Sequence, residues 1–187
     1  MALAASNMMP LGTVAPDFTL PDTVSGKDLS LQELRGKKGT VVMFICNHCP
    51  FVKHINDQLT RLANDYMSKD IRFIAISAND IDNYPDDAPD KMKQEAALHK
   101  YPFPYLYDKT QAVAKAYMAA CTPDFYVFDE KLKCIYRGQL DNSRPGNNVP
   151  VTGADIRMAL DHHLNGEAII SDQKPSQGCN IKWIDTQ

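Results

Sequence analysis

The amino-acid sequence predicts an α/β sandwich with a mixed central sheet. Apolar runs of strand length alternate with segments of helical periodicity, and two late strands follow each other closely enough to form a hairpin. Strands connected through helices pair in parallel and a hairpin pairs antiparallel, so the two arrangements together make a mixed sheet. No internal repeat or flexible linker divides the 187 residues, which is an ordinary length for one domain.

The elements of the first half are predicted from apolar periodicity. Upstream of residue 40, the sequence has the rhythm of a small hairpin followed by a helical turn. Residues 40–45 (TVVMFI) and 71–78 (IRFIAISA) are continuous apolar runs, which are typical of strands buried on both faces. Between them, residues 51–66 carry apolar side chains at helical spacing, which predicts a helix.

The second half continues with two helices and the hairpin. Residues 89–100 predict a helix with Pro89 in its first turn, where a missing N–H leaves no bond unmade. Residues 109–120 are a second helical stretch. Strands at 125–128 and 133–137 are joined by a short polar turn, which predicts the hairpin.

The last helix is predicted to begin at Thr152 and to end at Gly166. Thr152 as N-cap, with Asp155 three residues further on, resembles a capping box in which Asp replaces the usual Glu. A glycine directly after the last apolar position is a common end of a helix.

Composition and charge argue against several partners. The chain has 44% hydrophobic and 23% charged residues, and its net charge of −3 gives no electrostatic reason to expect nucleic acid or an anionic membrane. No apolar run approaches the roughly 20 residues of a membrane span, and the first residues lack the Lys or Arg of a signal peptide. We therefore expect a cytoplasmic protein, and nothing in the sequence predicts a cofactor.

Residues 46–54 (CNHCPFVKH) contain a C-x-x-C pair directly after a predicted buried strand and at the start of a predicted helix. Unused backbone N–H groups and the helix dipole stabilise a thiolate at that position. His48 lies between the two sulfurs and adds to this stabilisation when it is protonated, while Lys53 lies on the helical face of Cys49. Because the thiolate is the attacking species in thiol–disulfide exchange, Cys46 and Cys49 are candidates for a redox couple.

Two other roles compete with redox chemistry for the cysteine pair, namely zinc binding and the filling of space in the core. A structural zinc site needs four ligands and usually two such pairs, but Cys121, Cys134 and Cys179 stand singly in the chain. The two cysteines could also merely fill space. The residues favour the redox couple over both, and we expect no metal. Five cysteines cannot all pair within one chain, which favours reduced thiols with one working pair.

The order of these segments resembles the redoxin (alkyl hydroperoxide reductase/thiol-specific antioxidant) branch of the thioredoxin superfamily. GTVAPDFTLPD, then GKDLSLQELRGKKGTVVMFI and the cysteine motif, is similar to its opening, and CTPDFYVFDEKLKCIYRG is similar to its cis-proline strand and hairpin. CNHCPFVKH, LDNSRPGNN and PSQGCNIKW are similar to segments of peroxiredoxin-like thioredoxin-domain proteins labelled thiol-disulfide isomerase. The resemblance covers residues 10–165 and implies a thioredoxin-like three-layer α/β/α sandwich with an N-terminal hairpin. Residues 166–187 would form a tail packed on the same domain.

The resemblance also implies residue roles and partners. Thr122 and Pro123 would be the threonine and cis-proline that face the motif, and the backbone of Thr122 would pair with substrate as a β-strand does. Cys46, as the exposed thiol, would be the attacking thiolate, and Cys49 would resolve the mixed disulfide. The implied partners are protein or small-molecule thiols and disulfides, with an electron donor that the sequence does not identify. Arg144, in LDNSRPGNN, is a candidate for the rim of this site or for a plain surface turn.

The sequence departs from the resemblance in ways that bear on activity. Peroxiredoxins place Thr three residues before the reactive cysteine and Pro four before that, and counted back from Cys49 these positions hold Cys46 and Val42. Pro123 stands where their activating Arg aligns, and Thr40 stands near the position of thioredoxin's buried Asp. A weak thiol peroxidase with antioxidant activity is therefore the second hypothesis, and a redox-inactive or metal-holding module is the third. The His within the motif stabilises the reduced form, which favours an oxidising couple.

A third sulfur is predicted near the motif at Cys121, two residues before Pro123. If Pro123 is the cis-proline, Cys121 lies close to Cys46 without bonding to it, and it either captures an oxidised Cys46 or points into the core. Cys179 is expected to be a buried apolar residue rather than a late redox partner. The role of Cys134 and the oligomeric state are left open.

Overall fold

A computed structural model of the chain describes residues 2–184. The order of strands across its five-stranded central sheet is β6 (Tyr105–Tyr107), β5 (Ile71–Ser77), β4 (Gly39–Phe44), β8 (Asp124–Asp129) and β9 (Cys134–Gly138). The strands β4, β5 and β6 pair in parallel, and β8 is antiparallel to both of its neighbours. The predicted mixed sheet and the predicted hairpin of its last two strands are therefore confirmed.

Two smaller sheets lie beside the central one. β2 (Thr19–Pro21) and β3 (Asp28–Ser30) form the predicted N-terminal hairpin. β1 (Leu3–Ala5), β10 (Gln177–Asn180) and β7 (Cys121–Thr122) form an antiparallel sheet in that order. The sequence does not predict these three strands, because two to four residues carry too little periodicity to be recognised.

Helices cover both faces of the central sheet. The α-helices of residues 2–184 are α1 (Leu31–Leu34), α2 (Pro50–Lys53), α3 (Asn56–Met67), α4 (Pro89–Leu98), α5 (Ala112–Ala116) and α6 (Ala154–Asn165). Buried side chains of α3, α4 and α6 belong to the core on one face, and those of α1 and α5 belong to the core on the other. The helix predicted over residues 51–66 is interrupted at residues 54 and 55, and the one predicted over 109–120 is shortened to α5.

Strand β4 shows how one apolar run fills both cores. Val41 and Met43 face the core that contains α3 and α6, whereas Val42 and Phe44 face the core that contains Tyr117. Successive side chains of a strand point to opposite faces, so a strand covered on both faces takes apolar side chains at successive positions, as residues 41–44 of β4 show. Each such fully buried side chain contributes about 1.5–3 kcal/mol to folding.

The start of α6 corrects one prediction. Its N-cap is Gly153, with φ 71, and not Thr152. The main-chain N–H groups of Thr152 and Gly153 both donate to Asp141 Oδ2 at 2.7 Å. The predicted capping box of Thr152 with Asp155 is therefore wrong, because a carboxylate from the preceding loop organises the helix start. The predicted end at Gly166 is confirmed, since this glycine is the C-cap in a left-handed conformation with φ 71.

The described part of the predicted tail, residues 166–184, lies against the rest of the chain. Within it β10 pairs with both β1 and β7, and the main-chain N–H of Lys182 donates to Asn79 Oδ1 at 2.8 Å. Residues 185–187 of the predicted tail lie outside the described residues. A helix long and apolar enough to cross a membrane is not found within residues 2–184.

Candidate active site

The C-x-x-C motif lies where β4 ends and α2 begins. Cys49 is the N-cap of α2, and Pro50 occupies its first position. The main-chain N–H groups of Val52 and Lys53 donate to the carbonyl oxygen of Cys49 at 3.1 and 3.0 Å. Cys46 precedes this turn, directly after the buried strand. The predicted position of the motif, between a buried strand and the start of a helix, is therefore confirmed.

Both sulfurs of the motif are covered by the strand that leads to Pro123. The Thr122–Pro123 peptide bond is cis, as the resemblance implied. Thr122 Oγ1 lies 3.3 Å from Cys46 Sγ, and the carbonyl oxygen of Thr122 lies 3.2 Å from Cys49 Sγ. Cys46 is 2% exposed and Cys49 is 0% exposed, so the expectation that Cys46 is an exposed thiol is wrong. The reason is that Thr122 covers Cys46, while Thr122 and the C-terminal strand together cover Cys49.

The C-terminal strand brings a third sulfur to the motif. Cys179 lies opposite Thr122 in the pairing of β10 with β7, and its Sγ is 2.7 Å from Cys49 Sγ. Cys179 is buried, as expected, but its sulfur contacts the thiol of Cys49 rather than serving only as an apolar group. The backbone edge of Thr122 that was expected to pair with substrate pairs with β10 instead. Because 130 positions separate Cys179 from Cys49, local sequence gives no signal of this contact beyond the PSQGCNIKW resemblance.

Cys121 directly precedes Thr122, which contacts the motif, but the sulfur of Cys121 turns away from the motif. Cys121 Sγ lies 3.6 Å from the carbonyl oxygen of Pro123 and 4.0 Å from that of Ser176. Neighbouring side chains of a strand point to opposite sides, so the hydroxyl of Thr122 faces Cys46 while Cys121 does not. Burial raises the pKa of Cys121, which keeps it protonated. Its expected lack of a bond to Cys46 is confirmed, and the third sulfur at the motif is that of Cys179.

The two thiols of the motif share one proton. The hydrogen bond to Cys49 raises the pKa of Cys46, and burial and the nearby carboxylate of Asp87 raise it further. The hydrogen bond from Cys46 lowers the pKa of Cys49 to about 5, and donation from Cys179 and from the N–H of Val52 helps to outweigh burial. The lowered pKa favours the thiolate form of Cys49, whereas the raised pKa keeps Cys46 protonated, so the expectation that Cys46 carries the stabilised thiolate is wrong.

His48 and Asp87 form a mostly buried polar pair beside Cys46. His48 Nδ1 lies 2.6 Å from Asp87 Oδ2, and the main-chain N–H of Asn47 donates to Asp87 Oδ1 at 2.8 Å. Burial alone would raise the pKa of Asp87, but hydrogen bonds from His48, Asn79 and the Asn47 backbone hold it below its usual value. The sequence predicts that protonated His48 stabilises a thiolate. In the structure its ring nitrogen Nδ1 bonds to the carboxylate of Asp87. Sequence reasoning missed Asp87, because it lies in an acidic loop 39 residues from His48.

Two further candidate residues lie at the rim of the motif. Lys53 is exposed at the end of α2 and lines a polar depression of about 290 Å³ together with His48. Arg144 lines a narrow cleft that also contains Pro123 and Phe51. Its guanidinium donates at 2.7 Å to two carbonyl oxygens of its own loop, at residues 141 and 143. Arg144 thus shapes a turn at the rim, and its guanidinium bonds to that turn rather than to a sulfur.

Comparison with known proteins places this geometry in a family. Residues 11–137, more than half of the chain, match the AhpC/TSA family. The chain belongs to the AhpC/TSA family. A curated relative, the thiol-disulfide oxidoreductase YkuV of Bacillus subtilis (strain 168), is 25% identical over 144 residues, which cover 75% of this AhpC/TSA protein and 88% of YkuV. The redoxin resemblance of the sequence is therefore confirmed.

Solved structures resemble the whole of this AhpC/TSA protein. A structure described as an uncharacterized conserved protein from Geobacillus kaustophilus is 57% identical, with a TM-score of 0.98 over 100% of this chain and 99% of the other. The thioredoxin domain of the thiol-disulfide oxidoreductase BVU-2223 from Bacteroides vulgatus is 18% identical, with a TM-score of 0.62 over 80% of this chain and 97% of that domain. The second likeness concerns the fold alone, and it confirms the predicted thioredoxin-like sandwich.

Proposed function

We propose that this AhpC/TSA protein is a thiol–disulfide oxidoreductase whose redox couple is Cys46 and Cys49. The observation that carries the proposal is the geometry of the motif, in which two thiols lie at a strand-to-helix turn and oxygens of Thr122, next to cis-Pro123, lie 3.3 Å from Cys46 Sγ and 3.2 Å from Cys49 Sγ. The hydrogen bond between the two thiols, which lowers the pKa of Cys49 to about 5, adds support. A thiolate held against a neighbouring thiol at a helix start is the arrangement that thiol–disulfide exchange requires. The name of the relative YkuV, a thiol-disulfide oxidoreductase, supports the same reaction class.

In the first step, Cys46 attacks one sulfur of a substrate disulfide. Cys49 accepts the proton of Cys46 through the hydrogen bond that they share, and its new S–H can donate to the carbonyl oxygen of Thr122, 3.2 Å away. The substrate S–S bond breaks, and its electron pair leaves on the departing sulfur. We assign the attack to Cys46 because it lies beside His48 and the polar depression, whereas Cys179 and Thr122 enclose Cys49.

In the second step, Cys49 attacks the sulfur of Cys46 in the mixed disulfide. The substrate sulfur leaves with its electron pair and takes the proton of Cys49, and the sulfur released in the first step takes a proton from water. Two substrate thiols and one Cys46–Cys49 disulfide result. Two electrons have then moved from the couple to the substrate, and the same steps in reverse oxidise a substrate dithiol. Because the donors around Cys49 stabilise the reduced form, we expect the couple to be a comparatively strong oxidant.

Reduction of insulin disulfides in the presence of dithiothreitol tests the proposal. We expect the wild-type chain and a Cys134→Ser variant to accelerate insulin reduction equally, because Cys134 lies in the other core. A Cys46→Ser variant should lose that acceleration. Unchanged insulin reduction by a folded Cys46→Ser variant would refute the proposed couple.

One observation favours a second candidate, the metal-holding module. Ligand atoms of Cys46, His48 and Asp87 lie within 4.8 Å of one another. A thiolate, an imidazole and a carboxylate suit Zn²⁺, which would take a fourth ligand from water or substrate. One zinc per chain in protein purified with reductant, lost in an Asp87→Asn variant, would favour this candidate. Zinc far below one per chain would leave the redox couple as the function of the motif.

A further inference from the structure

The sulfur atoms of Cys49 and Cys179 lie close enough to each other for thiol–disulfide exchange. Their Sγ atoms are 2.7 Å apart. A disulfide bond is about 2.05 Å long, so a movement of less than about 1 Å brings the two sulfurs to bonding distance when Cys49 is part of a disulfide that Cys179 can attack. The two cysteines are 130 positions apart in the chain, so the contact forms only because the fold places β10 of the C-terminal tail beside the motif.

The fold fixes the strand that carries Cys179 on both sides of the sulfur. Before it, Ser176 Oγ donates to the carbonyl oxygen of Pro123 at 2.6 Å. After it, the main-chain N–H of Ile181 donates to the carbonyl oxygen of residue 120 at 3.1 Å. A Cβ added to Gly178 would lie 2.0 Å from the carbonyl oxygen of Thr122, so only glycine lets β10 come this close to β7.

The position of β10 is that of an extended substrate. The resemblance implies that a substrate pairs with the backbone of Thr122, and in the structure Cys179 occupies that position in antiparallel pairing. Its thiol therefore meets the motif as the sulfur of a docked peptide would. Because the thiol belongs to the same chain, its effective concentration far exceeds that of any dissolved thiol.

We propose that Cys179 is a third redox cysteine, which exchanges with the Cys46–Cys49 disulfide to form a Cys49–Cys179 disulfide. This inference rests on the proposed function, because that function supplies the first disulfide. The sulfur of Cys179 attacks that of Cys49, the S–S bond between Cys46 and Cys49 breaks, and its electron pair leaves on Cys46. The proton of Cys179 ends on Cys46. One disulfide and one thiol are present before and after the exchange, so it needs no further oxidant.

The oxidation state of Cys49 controls how readily Cys179 can attack. Burial, the hydrogen bond to Cys49 and the charge of the Cys49 thiolate raise the pKa of Cys179 to about 12 in the reduced protein. When Cys49 enters a disulfide with Cys46, its thiolate is lost. The hydrogen bond and the charge then no longer raise the pKa of Cys179, and of the three causes burial alone persists. Cys179 then becomes more acidic, so the exchange is favoured only after the couple has been oxidised.

The exchange moves the disulfide from one surface depression to another. Cys46 lies beside the polar depression that His48 lines. Cys179 lines a separate depression of about 260 Å³ whose other walls include the apolar side chains of Leu3 and Phe51. Cys46 regains its thiol, and it can resume its part in the cycle once the Cys49–Cys179 disulfide has been reduced. The Cys49–Cys179 disulfide meanwhile faces a wall that suits a thiol reductant with an apolar flank.

Disulfide mapping of the full chain tests the inference. A Cys46→Ser variant, oxidised with glutathione disulfide, quenched in acid and digested, should contain a Cys49–Cys179 link. Adding Gly178→Ala, which removes no thiol but displaces β10, should slow formation of that link at least on the order of 10-fold. Adding Cys134→Ser instead should leave its rate unchanged. Mapping of wild-type protein in glutathione redox buffer needs no substitution and should find the tail linked to the motif in part of the chains.

The outcomes separate this inference from the proposed function. If wild-type protein forms only Cys46–Cys49, and the Cys46→Ser variant carries glutathione on Cys49 with no link to Cys179, the third cysteine is refuted and the couple stands. If wild-type protein forms Cys49–Cys179 and never Cys46–Cys49, the close contact is supported, but the proposed couple and the exchange that depends on it are refuted. A Gly178→Ala variant that links as fast as its parent would contradict the argument from the position of β10.

Discussion

Two buried parts of this protein each hold a thiol and a carboxylate, and the two parts ionise in opposite ways. At the motif, hydrogen bonds lower the pKa of Cys49 to about 5 and hold that of Asp87 below its usual value. In the β8–β9 hairpin, burial raises the pKa of Asp124 to about 7 and that of Cys134 to about 12. All four residues are at most 2% exposed, so depth of burial does not explain the difference.

The difference lies in the side chains around each carboxylate, because Asp87 lies beside an imidazole and Asp124 lies beside two hydroxyls. At the strand-to-helix turn, the main-chain N–H groups of Asn47 and His48 both point at Asp87, which also accepts from side chains. In the hairpin, Asp124 accepts from the hydroxyls of Ser6 and Tyr126 and from the main-chain N–H groups of residues 120 and 125, and these neutral donors only partly offset its burial. An imidazole beside a carboxylate therefore helps to stabilise buried negative charge where neutral donors alone do not.

The largest expected effect is the difference in acidity between Cys49 at the motif and Cys134 in the hairpin. Wild-type protein should show thiolate ultraviolet absorbance that appears as the pH rises through about 5, because the pKa of Cys49 is lowered to about 5 by its hydrogen bonds. A Cys49→Ser variant should lose this transition, and a Cys134→Ser variant should keep it. A transition of equal size in the Cys49→Ser variant would place the thiolate elsewhere and break the comparison.

The carboxylate of the hairpin should make stability depend on pH. Asp124 has a folded pKa of about 7 because it is buried, and an unfolded Asp has one of about 3.9, so the protonated form is favoured in the folded protein. The folded protein therefore loses stability as the pH rises from about 4 through 7.

An Asp124→Asn variant should be free of this loss. Relative to wild type, its free energy of unfolding in urea should rise by about 2–3 kcal/mol more at pH 8 than at pH 5. An exposed control, Asp17→Asn, should show no such difference. Equal pH profiles for Asp124→Asn and wild type would show that this carboxyl is not the buried acid described.

Replacing Asp87, the carboxylate of the motif, should change the free energy of unfolding less than replacing Asp124 does, and it should lower this free energy rather than raise it. Asp87→Asn leaves the N–H donors of Asn47, His48 and Asn79 facing a weaker acceptor, so we expect a loss of about 1–3 kcal/mol in urea unfolding. It also removes a negative charge that raises the pKa of Cys46, so the second proton of the couple should leave at lower pH. Asp86→Asn is the control, because Asp86 is the exposed residue directly before Asp87. Equal stabilities of the two variants would contradict the role given to Asp87.

Sequence predicted the parts of the molecule in which local pattern and tertiary packing agree. The apolar run of β4 and the proline at the start of α4 each carry enough local information to place an element. At Thr152 the local pattern was misleading, because Asp141 from another segment takes the backbone donors of the helix start. The resemblance, rather than spacing, supplied the cis bond before Pro123.

Half of the site was beyond sequence reasoning, because it comes from distant segments. Cys46, Cys49 and His48 are adjacent in the chain and were predicted together. Asp87 and Cys179 reach them through contacts that span 39 and 130 positions, and neither carries a motif of its own. Cys121 takes the core-facing alternative of its prediction, and the sulfur that contacts the motif is that of Cys179. Proximity to the cis-proline in sequence does not fix which way a side chain points.

A redox titration of wild-type protein tests the central claim most directly. The protein would be equilibrated in glutathione buffers of increasing potential, quenched with acid, and its disulfides counted and mapped by mass spectrometry. We predict a two-electron transition that forms the Cys46–Cys49 disulfide, with a midpoint less negative than the value of about −270 mV known for thioredoxin, because donors stabilise the Cys49 thiolate. A motif that forms no Cys46–Cys49 disulfide at any buffer ratio, or a midpoint below that of thioredoxin, would contradict the account.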